Sequence, residues 1–162
     1  MSGAALVVTL DEGLWREAAM AIERLGNGDK TEFFDFIGEE LENIARDAFG
    51  KKADPATGKA WAPWSEDYAV SGRHGSDLLH KRGDLFGSIV HELEPNGVVV
   101  GSDMVYAPTH QYGAKKGAFG TMKNGSPIPW GNISARPFLG IPADFEDRIL
   151  GDPAVLELLG WV

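Results

Sequence analysis

The strongest constraint on the fold is a helical stripe in the first third of the chain. Its members follow one another in alternating steps of three and four: Phe34, Ile37, Leu41, Ile44 and Ala48. This spacing places them on one face of an α-helix, and such a face has to be buried against another element. Asp29 and Glu32 have the spacing of a capping box at its start, and Gly50 suits its end. The pattern predicts a helix over residues 29–50.

Strand patterns supply the surface against which this helix can pack. Residues 4–10 are apolar and partly β-branched, and two further strand-like runs, residues 88–94 and 98–102, flank Pro95-Asn96-Gly97. Asn-Gly between two such runs is a strong hairpin signal. A further helical pattern lies in residues 11–25, and shorter ones follow at residues 65–70, 105–112, 142–150 and 153–159. The predicted fold class is therefore α+β: a small antiparallel sheet with a central hairpin, packed against two main N-terminal helices. For the first of the shorter helices we expect Ser65 to be the N-cap.

A long Gly-rich loop interrupts this pattern. Residues 113–135 contain five glycines and two prolines and show no period, and loops of that length are usually functional or disordered. Residues 104–143 contain no acid, and their basic residues are Lys115, Lys116, Lys123 and Arg136. We expect the tip of the loop to be mobile in the free subunit and residues 128–135 to pack on the subunit's own body.

Composition excludes several function classes. The 162 residues fit one domain, and the absence of cysteine excludes disulfides, thiolate nucleophiles and cysteine-based zinc sites. A net charge of −9 is unfavourable for general nucleic-acid binding, because cations that neutralise phosphates supply most of that affinity. Neither a signal peptide nor a membrane-spanning run is expected from the apolar segments.

No motif for catalysis, metal binding or a cofactor is present. The sequence lacks the GxSxG, GxxxxGKS/T and HExxH patterns, so no catalytic, cofactor-binding or metal-binding residue is predicted. The four histidines do not have metal-ligand spacing: His74, His80, His91 and His110. Trp61 and Trp64 lie in a turn-rich stretch, where they either seal the edge of the core or form an exposed contact. Arg136 precedes a proline, which keeps it extended, and it could pair with a carboxylate in its own subunit or in a neighbour.

Four segments, in order, resemble the phage virion morphogenesis, or tail-completion, family. The resemblance covers roughly residues 34–150 and ends in a motif, Ala-Arg-Pro-Phe-Leu-Gly, that is fairly specific. The segments are Asp54-Pro55 with Gly58 and Trp61-Ala62-Pro63, then Leu78-Leu79 with Gly83-Asp84-Leu85 and Ser88-Ile89, then Val100-Gly101-Ser102 with Tyr106-Ala107 and His110-Gln111-Tyr112-Gly113, and last Pro129 with residues 135–140. Within the third segment we expect Tyr106, Gln111 and Tyr112 to lock a short helix to the sheet.

The resemblance implies one tail-completion-like domain over residues 1–162 with a structural role and no enzymatic activity. It implies a ring of identical subunits, expected to be a hexamer, of neck or tail-terminator type at the head–tail junction or tail end. Its partners would be phage neck or connector proteins and tail tube proteins, with no membrane and no sequence-specific nucleic-acid binding, although DNA could pass through the ring. Its location would be the virion, and the host cytoplasm during assembly. Two alternatives are a small phage or bacterial hydrolase and a binding module or regulator without a virion role. Candidate interface residues are Trp61, Trp64, Lys115, Lys116, Lys123 and Arg136.

Overall fold

The predicted long helix dominates the architecture. The computed structural model describes residues 3–9, 15–25, 27–72 and 77–161. Helix α1 spans Trp15–Ile22, and helix α2 spans Asn27–Lys51. Helix α2 thus begins two residues before the predicted start, and the side chain of Asp29, half of the proposed capping box, lies outside the described part.

The stripe on α2 is buried, as predicted, and it is wider than its spacing indicated. Phe34, Ile37, Leu41 and Ala48 are buried, whereas Ile44 is only partly buried. Three residues beside the stripe are buried as well: Phe33, Ala45 and Phe49. Helix α2 therefore presents more than one row of side chains to the core.

The sheet has three antiparallel strands in the order β1-β3-β2. Strand β1 spans Ala4–Thr9, β2 spans Val90–Glu94 and β3 spans Gly97–Ser102, which confirms the predicted strands and hairpin. Glu94 pairs with Gly97, so the turn residues are Pro95 and Asn96, one position earlier than the Asn-Gly signal implied. Neither Asn96 nor Gly97 has a positive φ. Proline presets the first turn position at a negative φ, which explains why the mirror-image Asn-Gly turn does not form.

The register gives the sheet one covered face and one open face. Val98, Val100 and Ser102 point toward α2 and are fully buried. The residues between them along β3, with their cross-strand partners, point the other way, because successive side chains alternate across a strand. On this side Val7 is 59% exposed and Val90 is 45% exposed. We call this side the open sheet face and define it by Ala5, Val7, Val90, Glu92, Glu94 and Val99.

Helix α2 also holds the outer edge of β2. Glu42 Oε1 accepts from the backbone N–H of His91 at 2.7 Å and contacts its ring Nδ1 at 2.7 Å, while the Nε2 of the same ring lies 2.9 Å from Asp35 Oδ1. Arg46 pairs with Glu42 at 2.7 Å and donates to Ile89 O at 2.8 Å. Burial lowers the pKa of His91, but its hydrogen bonds to Asp35 and Glu42 outweigh that effect, so the pKa of His91 is raised. The protonated ring can donate to both carboxylates at once.

Five short helices complete the described fold, and four of the five were predicted. Their bounds are Glu66–Val70 for α3, Asp84–Gly87 for α4, Ala107–Tyr112 for α5, Phe145–Leu150 for α6 and Pro153–Leu158 for α7. No helix was predicted at α4, although its residues belong to the second of the four segments that resemble the family. Ser65 precedes α3 as predicted, but its side chain makes no capping hydrogen bond. Among the described residues, none of the helices is both long and apolar enough to cross a membrane.

The predicted Gly-rich loop is an irregular hairpin, which we call the arm (residues 113–135). Ala114 and Ile133 exchange two backbone hydrogen bonds of 2.9 and 2.7 Å, and Phe119 N donates to Ile128 O at 2.7 Å. The expectation that residues 128–135 pack on the subunit body is wrong for the largest of them, because Trp130 is 64% exposed. The two legs of the arm bond to each other and leave that side chain in solvent. The mobility of the tip stays a prediction.

Candidate interaction surfaces

The family motifs meet in one place, which we call the motif junction: Trp61, Gln111 and Arg136 with the backbone of residues 62–63 and 137–139. Trp61 is 6% exposed, and its indole Nε1 donates to Pro137 O at 2.7 Å. Its ring meets the ring of Phe49 edge-on, with centroids 5.6 Å apart. The sequence left two interpretations of Trp61 open, a residue that seals the core or an exposed contact. The first fits, because the indole ring and its N–H group are both used inside the subunit.

Arg136 crosses the motif junction and is 8% exposed. Its guanidinium donates through Nε to Ala62 O at 2.8 Å and through Nη2 to Pro63 O at 2.7 Å. Within the described residues it has no carboxylate within ion-pair distance, so the expected acidic partner in the same subunit is absent there. Burial lowers the pKa of Arg136. The two carbonyl groups fix the side chain, but they do not neutralise its charge.

Gln111 binds the extended backbone that follows Arg136. Its Oε1 accepts from Phe138 N and Leu139 N, each at 3.0 Å, and its Nε2 donates to Leu139 O at 2.8 Å. Residues 137–141 form neither helix nor strand, so their buried polar groups need side-chain partners. Gln111 therefore fixes α5 to this extended segment. The expectation that it fixes α5 to the sheet is wrong. Tyr112 is mostly exposed and does not act as a lock either.

The second family segment joins the third through two hydroxyl groups. Ser88 Oγ lies 2.7 Å from Ser102 Oγ, which also accepts from Met104 N at 3.2 Å. Gly83, which precedes α4, has φ +83°, a backbone conformation that residues other than glycine rarely adopt. Leu85 and Ile89 are buried in the core. These motif residues therefore close the chain around the end of the sheet.

A groove of about 1180 Å³ opens beside the motif junction. Its lining includes Trp64 and Tyr68 from the α3 region, Arg82 before α4, and Trp130 from the arm. Both acidic and basic side chains line it, and the described residues contain no group of three or more His, Asp or Glu side chains able to hold a metal ion. The lining is suited to contact with another protein surface, because aromatic side chains with nearby charges are typical of interface centres and rims.

One buried group in the groove lacks a hydrogen bond. His110 Nδ1 is inaccessible to solvent and has no hydrogen-bond partner among the described residues. Burial lowers the pKa of His110, and the charge of Arg136 lowers it further. His110 O accepts from Arg136 N at 2.7 Å, so the imidazole is held beside the guanidinium by the backbone. A neutral imidazole is the form that this position favours.

The sequence that carries these motifs matches known proteins. The profile of the phage virion morphogenesis family matches residues 13–154. The chain belongs to the phage virion morphogenesis family. It is also 31% identical over 139 residues to the "Putative capsid assembly protein G" of Escherichia phage Mu, an alignment that covers 83% of this chain and 84% of that protein. No solved structure matches the chain. The family resemblance seen in the sequence is thereby confirmed.

Within this virion morphogenesis protein, the six predicted interface residues fall into two groups. Trp61 and Arg136 lie inside the subunit, where their hydrogen bonds go to its own backbone. Trp64 lines the groove and is partly exposed, with its ring 6.5 Å from that of Tyr68. The remaining three are exposed on the arm: Lys115, Lys116 and Lys123. Whether Trp64 and the lysines contact a partner stays a prediction.

Two exposed apolar surfaces of this virion morphogenesis protein were not predicted from its sequence. One is the open sheet face, which was hidden because the alternation of β1 and β3 is masked by valines on both faces. The other is on the arm, where Phe119, Met122, Ile128 and Trp130 are all exposed. The apolar content of the arm was visible in its sequence, but its exposure depends on how the two legs pair.

Proposed function

We propose that this protein is a non-enzymatic structural subunit that forms a ring at the head–tail junction or tail end of a phage particle. Membership of the virion morphogenesis family gives it a role in building that particle. The ring, its six-fold symmetry and its position at the neck or tail end are parts of the proposal. It would complete the tail and join it to the head through contacts with connector and tail tube proteins.

The observation that carries the proposal is how the motif side chains are used. Trp61, Gln111 and Arg136 all bind backbone atoms of their own subunit. A catalytic group has to reach a substrate, and these groups point into the fold. The family motifs therefore stabilise a particular subunit shape, which is what a building block of a symmetric assembly requires.

The remaining surface supports self-association through two different patches. The arm carries three exposed lysines, whereas β2 carries two exposed acids, Glu92 and Glu94. Patches of opposite character on different parts of one subunit favour head-to-tail contacts, and such contacts form a ring when the rotation closes.

Electron microscopy of particles made with and without the protein tests the proposal. Without it we expect tails that are incomplete or heads and tails that fail to join, and adding the purified protein should restore joined particles. Labelling the protein in complete particles should place it at the head–tail junction or tail end. Complete, joined particles in its absence, or label elsewhere in the virion, would contradict the proposed role.

A further inference from the structure

We infer that the arm of one subunit docks on the open sheet face of the next subunit in the ring. The occupant of this face is thus a second copy of the same chain. The inference rests on the proposed ring and adds to it the two surfaces that would meet. It is independent of where in the virion the ring is located.

The open sheet face is an apolar surface with acidic side chains at one side. Val7 and Val90 are largely exposed, and Val99 between them is partly exposed. Glu92 pairs across the strands with Val99, and Glu94 lies two residues further along β2. Neither carboxylate has an ion-pair partner within the described residues. A partner for this face should therefore bring apolar side chains together with cations.

The arm has that composition. Its exposed apolar side chains are Phe119, Met122, Ile128 and Trp130, and its exposed cations are Lys115, Lys116 and Lys123. The same stretch contains no acid. None of the three lysines forms an ion pair with a described residue. Both surfaces are thus incomplete in the same subunit, and each offers what the other lacks.

A neighbouring copy explains why both surfaces are exposed. In the subunit described here the arm leaves the open face uncovered, since Val7 and Val90 remain exposed while Trp130 and Phe119 are exposed elsewhere. Contiguous exposed apolar surface is uncommon in monomers and usually marks a contact site. Joining two different patches of one chain gives a head-to-tail contact, the type that closes into rings.

The outer face of α2 is a less suitable acceptor for the arm lysines. Glu40 already pairs with Arg148 at 3.2 Å, and Glu42 pairs with Arg46 at 2.7 Å and with His91 at 2.7 Å. Charges already used in one subunit have less to gain from a second partner. The open sheet face offers both free carboxylates and exposed valines, whereas α2 directs its large apolar side chains inward.

Charge reversal with a matched control tests this contact in the purified protein and in assembled particles. The first variant carries Glu92→Lys and Glu94→Lys, and the control carries Glu32→Lys and Glu39→Lys, which change the charge equally on the exposed side of α2. We expect the first variant to weaken ring formation at least about tenfold, because like charges then meet across the interface. The control should assemble normally. Combining Glu92→Lys and Glu94→Lys with Lys115→Glu and Lys123→Glu in one chain should restore assembly. Thermal melts establish that each variant is folded.

Chemical crosslinking gives a readout that does not depend on affinity. The chain has no cysteine, so Glu92→Cys with Lys123→Cys creates the only two thiols. A flexible bis-thiol reagent should convert this variant into a ladder of covalent multimers in assembled particles, while Glu39→Cys with Lys123→Cys should give none. Either single-cysteine variant can give at most dimers.

The outcomes separate this inference from the proposed function. Rings seen by electron microscopy without a ladder from the Glu92 and Lys123 pair, or with a ladder only from the Glu39 and Lys123 pair, would overturn the docking of the arm on the sheet. The ring would then stand with a different contact. Particles in which the protein forms no ring would overturn the proposed function itself.

Discussion

The motif junction and the arm are neighbours along the chain, yet they use their residues in opposite ways. At the motif junction, polar side chains are buried and bound to backbone atoms. On the arm, backbone atoms bind one another, and the charged and aromatic side chains remain in solvent. The recognisable motif residues therefore stabilise the subunit, whereas the less regular loop beside them exposes the side chains for which we propose a role in association.

Two tryptophans make the comparison directly testable. Trp61 in the motif junction is almost completely buried, and Trp130 on the arm is mostly exposed. Trp61→Ala should lower the free energy of unfolding by about 3–5 kcal/mol, because a large buried ring and its hydrogen bond to Pro137 O are both lost. Trp130→Ala should change it by less than about 0.5 kcal/mol. Urea unfolding of both variants measures the two values.

Assembly should show the reverse order for the same pair. A folded Trp130→Ala variant should form rings poorly, because an exposed aromatic is then missing from the contact. Equal destabilisation by the two substitutions would mean that the arm belongs to the subunit core and that the contrast between the two regions does not hold.

The next largest effect is expected at Gln111. Gln111→Ala leaves the backbone N–H groups of Phe138 and Leu139 without their acceptor. An unsatisfied buried polar group costs about 1–3 kcal/mol, and we expect a loss of stability in that range. Gln111→Glu is an informative second variant, since it keeps an acceptor oxygen for the two N–H groups but places its other carboxylate oxygen against Leu139 O, where the donor stood. If Gln111→Ala is as stable as the wild-type protein, the extended segment must find other partners.

The elements of this fold were largely predictable because each one has a local signal. The stripe around Leu41, the hairpin around Asn96 and the short helix at residues 107–112 all appear where spacing and turn residues place them. A local signal gives the wrong position where an adjacent residue has a stronger conformational preference. Pro95 moved the turn by one residue, because its fixed φ determines which turn type forms.

The candidate surfaces were less predictable, because they depend on contacts between residues far apart in sequence. Gln111 binds residues 138–139, and Arg136 binds residues 62–63, and no periodicity reports either contact. Exposure was also hidden, since Trp61 and Trp64 differ by three positions but only the first is buried. The positive charge of the arm, in contrast, was predictable, because the sequence itself shows that its lysines lie in a stretch without acids.

A smaller effect should appear as pH dependence at His110, in the groove beside the motif junction. His110 has a pKa below its ordinary value of 6.5 because it is buried and lies near Arg136. The unfolded chain therefore binds a proton at His110 more readily than the folded subunit does. The free energy of unfolding falls for this reason as the pH drops from about 6.5 toward the lower pKa of the folded state. In a His110→Asn variant, the loss of stability between pH 7.5 and pH 5.5 should be smaller than in the wild-type protein.

His91 provides the control of opposite sign. Its pKa is raised by Asp35 and Glu42, so its contribution is present below about 6.5 and is lost as the pH rises through the folded pKa. Removing it with His91→Gln should make the loss of stability on acidification steeper. Urea unfolding at pH 7.5, 6.5 and 5.5 compares all three proteins. Identical pH profiles for His110→Asn and the wild-type protein would show that the imidazole of His110 is not held neutral.

The smallest effect on stability, and the sharpest test of the comparison, is expected at the tip of the arm. Residues 114–125 contain backbone hydrogen bonds such as Met122 N to Ser126 O at 2.8 Å, but an isolated two-stranded ribbon is only marginally stable in water. Glycines at 117, 120 and 125 add to the entropy that ordering removes, about 1–2 kcal/mol for each residue fixed. We therefore expect these amides to exchange rapidly in the free subunit despite their hydrogen bonds.

Assembly should protect the same amides, because docking supplies the burial that the arm lacks alone. Exposed ion pairs contribute only about 0–1 kcal/mol each, so Lys115 and Lys123 would set the register while Phe119 and Trp130 supply most of the contact. Hydrogen exchange on the free protein and on assembled particles measures the change, with the buried strand residues Val98 and Val100 as a reference that should be slow in both samples. Slow exchange at residues 114–125 in the free subunit would show that the arm is already ordered. Fast exchange in both samples would remove the arm from the interface.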